Sequence, residues 1–336
     1  MRPLRALAAS LLLTATLTAP VARASAACQD ATLPVSTGLH IHQVRGTLCL
    51  PAGATPGTVQ VLAHGATYNR LYWNLPHDRG RYSYQRDMAG RGAATFAFDS
   101  VGSGDSSRPP SALLTGVGQA AVLHQVVDHL RNGRVPGHSF DRVVLVGHSM
   151  GSGLAVLEAA TYRDVDGVVL TGYSHSVSYP MFARLFIEGI RPAVLDPMLA
   201  RRGTDPGYLT TMPSTRHLFH DPGQVEPDVL AADEATKDQV PATVVPDLYT
   251  LAFVSPLSRR IDVPVLLVNG AEDAIFCATL CESPEQLLDA EQLYFDGDTP
   301  VEAFLLPDAG HTLGYAPNAA EYRSAVHKWI TARFGG

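Results

Sequence analysis

The chain has 336 residues, is 46% hydrophobic and carries a formal net charge of −7. That acidic balance argues against nucleic acid or an anionic membrane surface as partner, and the length suits one large domain or two small ones.

Residues 1–26, MRPLRALAASLLLTATLTAPVARASA, start with Arg2 and Arg5, run through a mostly apolar stretch and close on small residues at 22–26. This order predicts a secretory signal peptide cleaved near Ala26, hence a secreted, extracellular mature protein. Its apolar part, 7–17, is too short to cross about 30 Å of hydrocarbon, so no stable membrane anchor is expected. Cleavage leaves 22 basic against 32 acidic side chains, a net charge of −10. Four cysteines remain: Cys28, Cys49, Cys277 and Cys281. An even count in an oxidising compartment points to two disulfides, with three pairings open. The favoured pairs are Cys28–Cys49, which pins the mature N-terminus to the first sheet, and Cys277–Cys281, a tight local loop. Zinc is the competing use of cysteine, but no Cys-x-x-Cys pair or His cluster at ligand spacing supports it; no metal or other cofactor is expected.

Along the chain, GLHIHQVRGTLCLP (38–51) predicts early antiparallel strands, and TVQVLAH (58–64) and AATFAFD (93–99) predict buried ones. Residues 116–132 carry Val122, Val126, Val127 and Leu130 at helical spacing. A strand at 142–148, a helix at 152–162 and a strand at 166–172 follow, then strands at 263–270 and 301–308 and a last helix at 318–334. Apolar strands alternating with helices predict an α/β fold, a mostly parallel sheet covered on both faces. Residues 173–260 break the rhythm. About 85 residues is far too long for an ordinary connection between two strands. Their aromatic and aliphatic content predicts a mostly helical cap inserted over the carboxyl edge of the sheet, leaving 27–172 and 261–336 as the core.

GHSMG (147–151) lies where a predicted strand gives way to a helix, the setting in which G-x-S-x-G forms a nucleophile elbow. Small residues at 147 and 151 let strand and helix crowd together and leave the Ser149 hydroxyl exposed above the sheet. A serine needs a base. Of thirteen histidines, His311 in PDAGHTLGYAPN follows the last predicted strand, at the same sheet edge as Ser149. His148 reads as a packing residue, His64 as a brace for its loop, and His124, His129 and His327 as ordinary helix positions. Asp273, in VNGAEDAIF, follows a strand and gives the order Ser…Asp…His; Glu272 is the competing carboxylate. Two backbone N–H groups would hold an oxyanion, those of Met150 at the helix start and of Ala66 in HGAT.

These motifs together resemble the α/β-hydrolase superfamily, from about Leu39 to Phe334: HG at 64–65, the D-x-x-G-x-G-x-S form of FDSVGSGDSS, GHSMG, GAED and AGH. The chain looks like the secreted, esterase-like members with a cap, and HGATYNRLYWN and GYLTTMPSTR look like segments found in an actinobacterial and fungal subset. Ser100 departs from the pattern, since many relatives carry Arg there. A serine at 149 disfavours the dehalogenase and epoxide-hydrolase branches, which use aspartate. The resemblance implies a Ser149–His311–Asp273 hydrolase without cofactor, acting on a small-molecule ester, with lactones, thioesters and amides open. Tyr179, Phe182, Tyr208 and Met212 in the cap are the expected substrate-binding residues. The competing readings are a cofactor-free perhydrolase or C–C hydrolase on the same triad, and a non-catalytic binding protein that kept the fold.

Overall fold

In the computed structural model the described residues are 27–335 except 54, 136, 214, 256, 278 and 279; the expected signal peptide lies outside them. Eleven strands are described: β1 (Ala27–Thr37), β2 (His40–Leu50), β3 (Thr58–Ala63), β4 (Ala94–Phe98), β5 (Arg142–His148), β6 (Gly167–Thr171), β7 (Ile190–Pro192), β8 (Tyr208–Thr211), β9 (Val240–Pro241), β10 (Val265–Gly270) and β11 (Val301–Leu306). Eight form one sheet in the order β1-β2-β4-β3-β5-β6-β10-β11. From β4 to β11 all pairings are parallel, while β2 runs antiparallel to both β1 and β4. The helices are α1 (Tyr84–Gly90), α2 (Gly116–Arg131), α3 (Met150–Tyr162), α4 (Tyr179–Arg184), α5 (Pro227–Thr236), α6 (Val244–Tyr249), α7 (Pro284–Glu291) and α8 (Ala320–Phe334).

The sheet is buried on both faces, so its central strands read as unbroken apolar runs. Along β5 the side chains still alternate: Val143 and Leu145 join the cluster beneath α2 and α3, while Val144 and Val146 join the one beneath α1 and α8. This is the α/β-hydrolase architecture with a mostly parallel sheet that the apolar runs predict.

Two features differ from the sequence reading. Residues 38–51 hold one strand, not several. Its partner is β1, joined through a two-residue turn at Gly38 and Leu39. β1 was hidden because only Ala31, Leu33 and Val35 alternate inward and Pro34 interrupts the run; an edge strand tolerates that proline because, among the described residues, no further strand needs its missing N–H. The insertion, though mostly short helical turns, also contains a three-stranded antiparallel sheet, β7-β8-β9. The fully buried Thr210 and Thr211 suit its central strand, since branched side chains pack well there. Both favoured disulfides are present: Cys28–Cys49 bonds directly opposed residues of β1 and β2, and Cys277–Cys281 closes a loop of four residues' separation. Two disulfides fit an oxidising environment. No helix among the described residues is long and apolar enough to cross a membrane.

Candidate active site

The carboxyl ends of β3, β5, β10 and β11 meet under the insertion. β5 ends at His148 and α3 begins at Met150, so Ser149 alone makes the turn, with φ 52° and ψ −116°. That conformation is costly for a residue with a Cβ, roughly 1–3 kcal/mol, and persists only where the surroundings impose it. The surroundings are visible. A Cβ on Gly147 would lie 2.4 Å from Ser152 Cα, and one on Gly151 would lie 2.2 Å from the Ala63 carbonyl oxygen. Only glycine lets β5, α3 and β3 approach this closely. The Ser149 N–H donates to the Thr171 carbonyl, which anchors the turn to β6. Met150, as the first helical residue, has an N–H with no partner within its own helix.

His311 follows β11. Its Nδ1 lies 2.8 Å from Asp273 Oδ2, and both side chains are buried. The other Asp273 oxygen accepts the N–H groups of Ile275 (2.9 Å) and Phe276 (3.1 Å), which fixes the carboxylate. Glu272, the competing acid, is exposed. The Phe276 ring lies nearly parallel to the His311 ring at 5.4 Å, and Phe219 of the insertion packs at 5.9 Å.

The other core histidines have structural surroundings. His148 stacks on Tyr72 with ring centres 4.2 Å apart; burial, with His311 nearby, pushes its pKa well below the usual range and keeps it neutral. His64 Nδ1 is 2.9 Å from the Gly65 carbonyl and Nε2 accepts the Ser100 N–H at 3.1 Å, so it donates from Nδ1 and ties the HGAT loop to the loop after β4.

Ala66, Met150, Ser149 and His311 all line one apolar cavity of about 930 Å³, counting its open mouth. Its walls come from the core through Ile275 and Phe276 and from the insertion through Phe182, Leu185, Phe219 and Leu248. Of the four expected substrate-binding residues, only Phe182 lines it. Tyr179 stands 63% exposed, outside the lining. Tyr208 is fully buried and donates its hydroxyl to the Pro109 carbonyl, which makes it part of the seam between insertion and core. Met212 follows β8 and also lies outside the lining. The three outside the lining share a cause: aromatic and apolar content marks apolar contact without telling a cavity wall from a seam.

Arg216 closes the GYLTTMPSTR segment, which the sequence marks without giving it a role, and it is central to the seam. Wholly buried, it lies 4.0 Å over the Tyr68 ring and donates to Thr67 Oγ1 (2.9 Å) and Asp233 Oδ1 (3.0 Å). Asp233 also meets His220 Nε2 at 2.9 Å. Thr67 has a left-handed backbone, φ 62°, next to Ala66. A cation in the insertion therefore grips the loop that carries a candidate oxyanion donor.

Residues 60–325 match the alpha/beta hydrolase family, and the chain belongs to that family. Among solved structures it resembles DcsB in complex with its substrate analogue, with TM-score 0.62 and 19% identity over 92% of this chain and 100% of that one. A lipase in its open form gives 0.59 and 17%, over 91% and 99%. Est1E from Butyrivibrio proteoclasticus, solved with ferulic acid bound, gives 0.55 and 16%, over 90% and 100%. At these identities the likeness is one of fold. A comparison with curated protein sequences returned no match.

Proposed function

We propose that the protein is a secreted serine hydrolase of the capped, esterase-like kind, cleaving carboxylic esters that carry a medium-sized hydrophobic group. The observation that carries this reading is the strained Ser149 turn opening into the same apolar cavity as a His311 bonded to a buried Asp273. In the proposed reaction His311 Nε2 takes the Ser149 proton as Oγ attacks the acyl carbonyl. Asp273 holds Nδ1–H and stabilises the imidazolium that forms. The N–H groups of Ala66 and Met150 receive the oxyanion, each worth roughly 3–4 kcal/mol of barrier. His311 then protonates the departing alcohol, and water activated by the same imidazole releases the acid.

The apolar lining of the cavity, from Phe182, Leu185, Phe219, Leu248, Ile275 and Phe276, supports a substrate with a hydrophobic group. The two disulfides support export. The test is hydrolysis of p-nitrophenyl esters from acetate to decanoate by the mature protein and by Ser149→Ala. The wild type should prefer intermediate chains, and the variant should lose roughly 10⁴-fold or more in kcat while keeping its fold. Equal activity in the variant would remove Ser149 from the mechanism.

A further inference from the structure

Two turns and more along α3 from Ser149, the helix carries an acid in an unusual position. Glu158 lies between Leu157 and Ala159 on a helix that is buried for most of its length, and its own side chain is fully buried. Neither carboxylate oxygen has a hydrogen-bond donor. A buried carboxylate left so costs several kcal/mol unless something compensates it. Its neighbours are another carboxylate and an imidazole. His124 Nδ1, from α2, is 3.9 Å from Glu158 Oε1 and 2.8 Å from Asp164 Oδ2, in the loop after α3. One ligand atom from each of the three lies within 4.8 Å of the others.

We propose that His124, Glu158 and Asp164 bind a first-row divalent cation such as Zn²⁺, which fastens α3 to α2. Four observations converge on this. The donor set, one imidazole nitrogen and two carboxylates, suits zinc and its neighbours better than calcium or magnesium, which favour all-oxygen sites. His124 Nδ1 and Asp164 Oδ2 are hydrogen-bonded at 2.8 Å, and exchanging that proton for a cation needs them to part by only about half an ångström to reach the roughly 3.4 Å edge of a tetrahedron with bonds of about 2.1 Å, which the 3.9 Å to Glu158 also approaches. The His124 ring is held in place by Tyr162, stacked parallel to it at 4.0 Å. Arg131 Nε and Nη2 bond the Asp164 carbonyl at 3.0 and 2.7 Å, which fixes the loop that presents the second carboxylate. His124 and Asp164 are partly exposed, with side chains 34% and 27% accessible, so the site has an entrance and room for water as a fourth ligand. The ligands are 34 and 6 residues apart along the chain and come from two helices and a loop, so no ligand-spacing motif announces them.

Glu158 lies nine residues along α3 from Ser149, roughly 13 Å at helical rise, so the cation would brace the helix and take no part in the proposed reaction. The experiment is calorimetric titration of untagged, chelator-treated mature protein with ZnCl₂ at pH 7.5, beside Glu158→Gln and His124→Gln. We expect one Zn²⁺ per chain, a Tm raised by Zn²⁺, and binding weakened more than roughly tenfold in both variants. Metal-free Glu158→Gln should melt at or above the metal-free wild type, because it removes a buried acid; this separates loss of a ligand from loss of the fold. Absence of a one-to-one site, or a site unaffected by both substitutions, would overturn the proposal and leave a proton shared between Glu158 and Asp164 as the compensation.

Discussion

The sheet core and the insertion are held together by different forces. In β3, β4, β6 and β10 every residue is buried, and the side chains that fill the space are overwhelmingly Val, Leu, Ala and Phe. The insertion relies on ion pairs, Arg216 with Asp233 and His220, Lys237 with Asp196, and Arg202 with Asp238, a device the core uses in its loops, as in Arg70 with Asp99, and not along these strands. Aliphatic burial is non-directional and sums over area, so the core tolerates drift in any one contact. A buried ion pair depends on geometry, and removing one partner is expensive. The insertion is thus fixed at a few points, and one of them, Arg216 on Thr67, is also where it meets the loop of Ala66.

The comparison breaks most visibly at that point. Arg216→Met should cost about 3–5 kcal/mol of stability, because Asp233 is left buried without its cation, held by His220 and the Tyr68 hydroxyl. It should also lower kcat for the proposed ester hydrolysis by loosening the loop beside Ala66. The double variant Arg216→Met, Asp233→Asn should regain much of the stability and not the kcat. Urea denaturation and steady-state kinetics on the same samples check both.

A smaller effect tests the ionic character through pH. Burial works to raise the Asp196 carboxyl, but bonds to Lys237 and Arg191 outweigh it and hold the group at about 2. A folded-state pKa below the unfolded value stabilises the protein above the ordinary carboxylate range, near 4, and that contribution fades as pH falls toward 2; it amounts to roughly 2 kcal/mol. Denaturation midpoints of wild type and Asp196→Asn should therefore differ most above pH 4 and converge in acid. A gap that stays constant with pH would mean the pair contributes by shape and not by charge.

The smallest effect sharpens the boundary between cavity wall and seam. Phe182→Ala should shift preference among ester chain lengths by about tenfold with little loss of stability. Tyr208→Phe, outside the cavity, should leave that preference alone.

What the sequence made legible follows the same division. Runs such as TVQVLAH and RVVLVGH are strands because two covered faces demand apolar residues at every position, and that demand is local. Gly147, Ser149 and Gly151 were readable because the turn itself excludes side chains at fixed offsets. His311 and Asp273 were found from their positions after strands, and the structure brings the two within hydrogen-bond distance. The segment that ends in Arg216 stood out by resemblance, but the pairing of Arg216 with Asp233 was not legible, since an arginine in STRHLFH and an aspartate in LAADEAT look like surface residues until the chain folds. Tyr208 and Phe182 were indistinguishable for the same reason: both are aromatic, and only the packing of β8 against the loop at Pro109 sends one to the seam.

The central claim is that the turn at 147–151 presents an activated hydroxyl. Treating the folded mature protein with a fluorophosphonate and mapping the adduct by mass spectrometry tests it without assuming a substrate. The account predicts one adduct, on Ser149, that disappears in His311→Ala. No adduct in wild-type protein, or one that persists without His311, would contradict it.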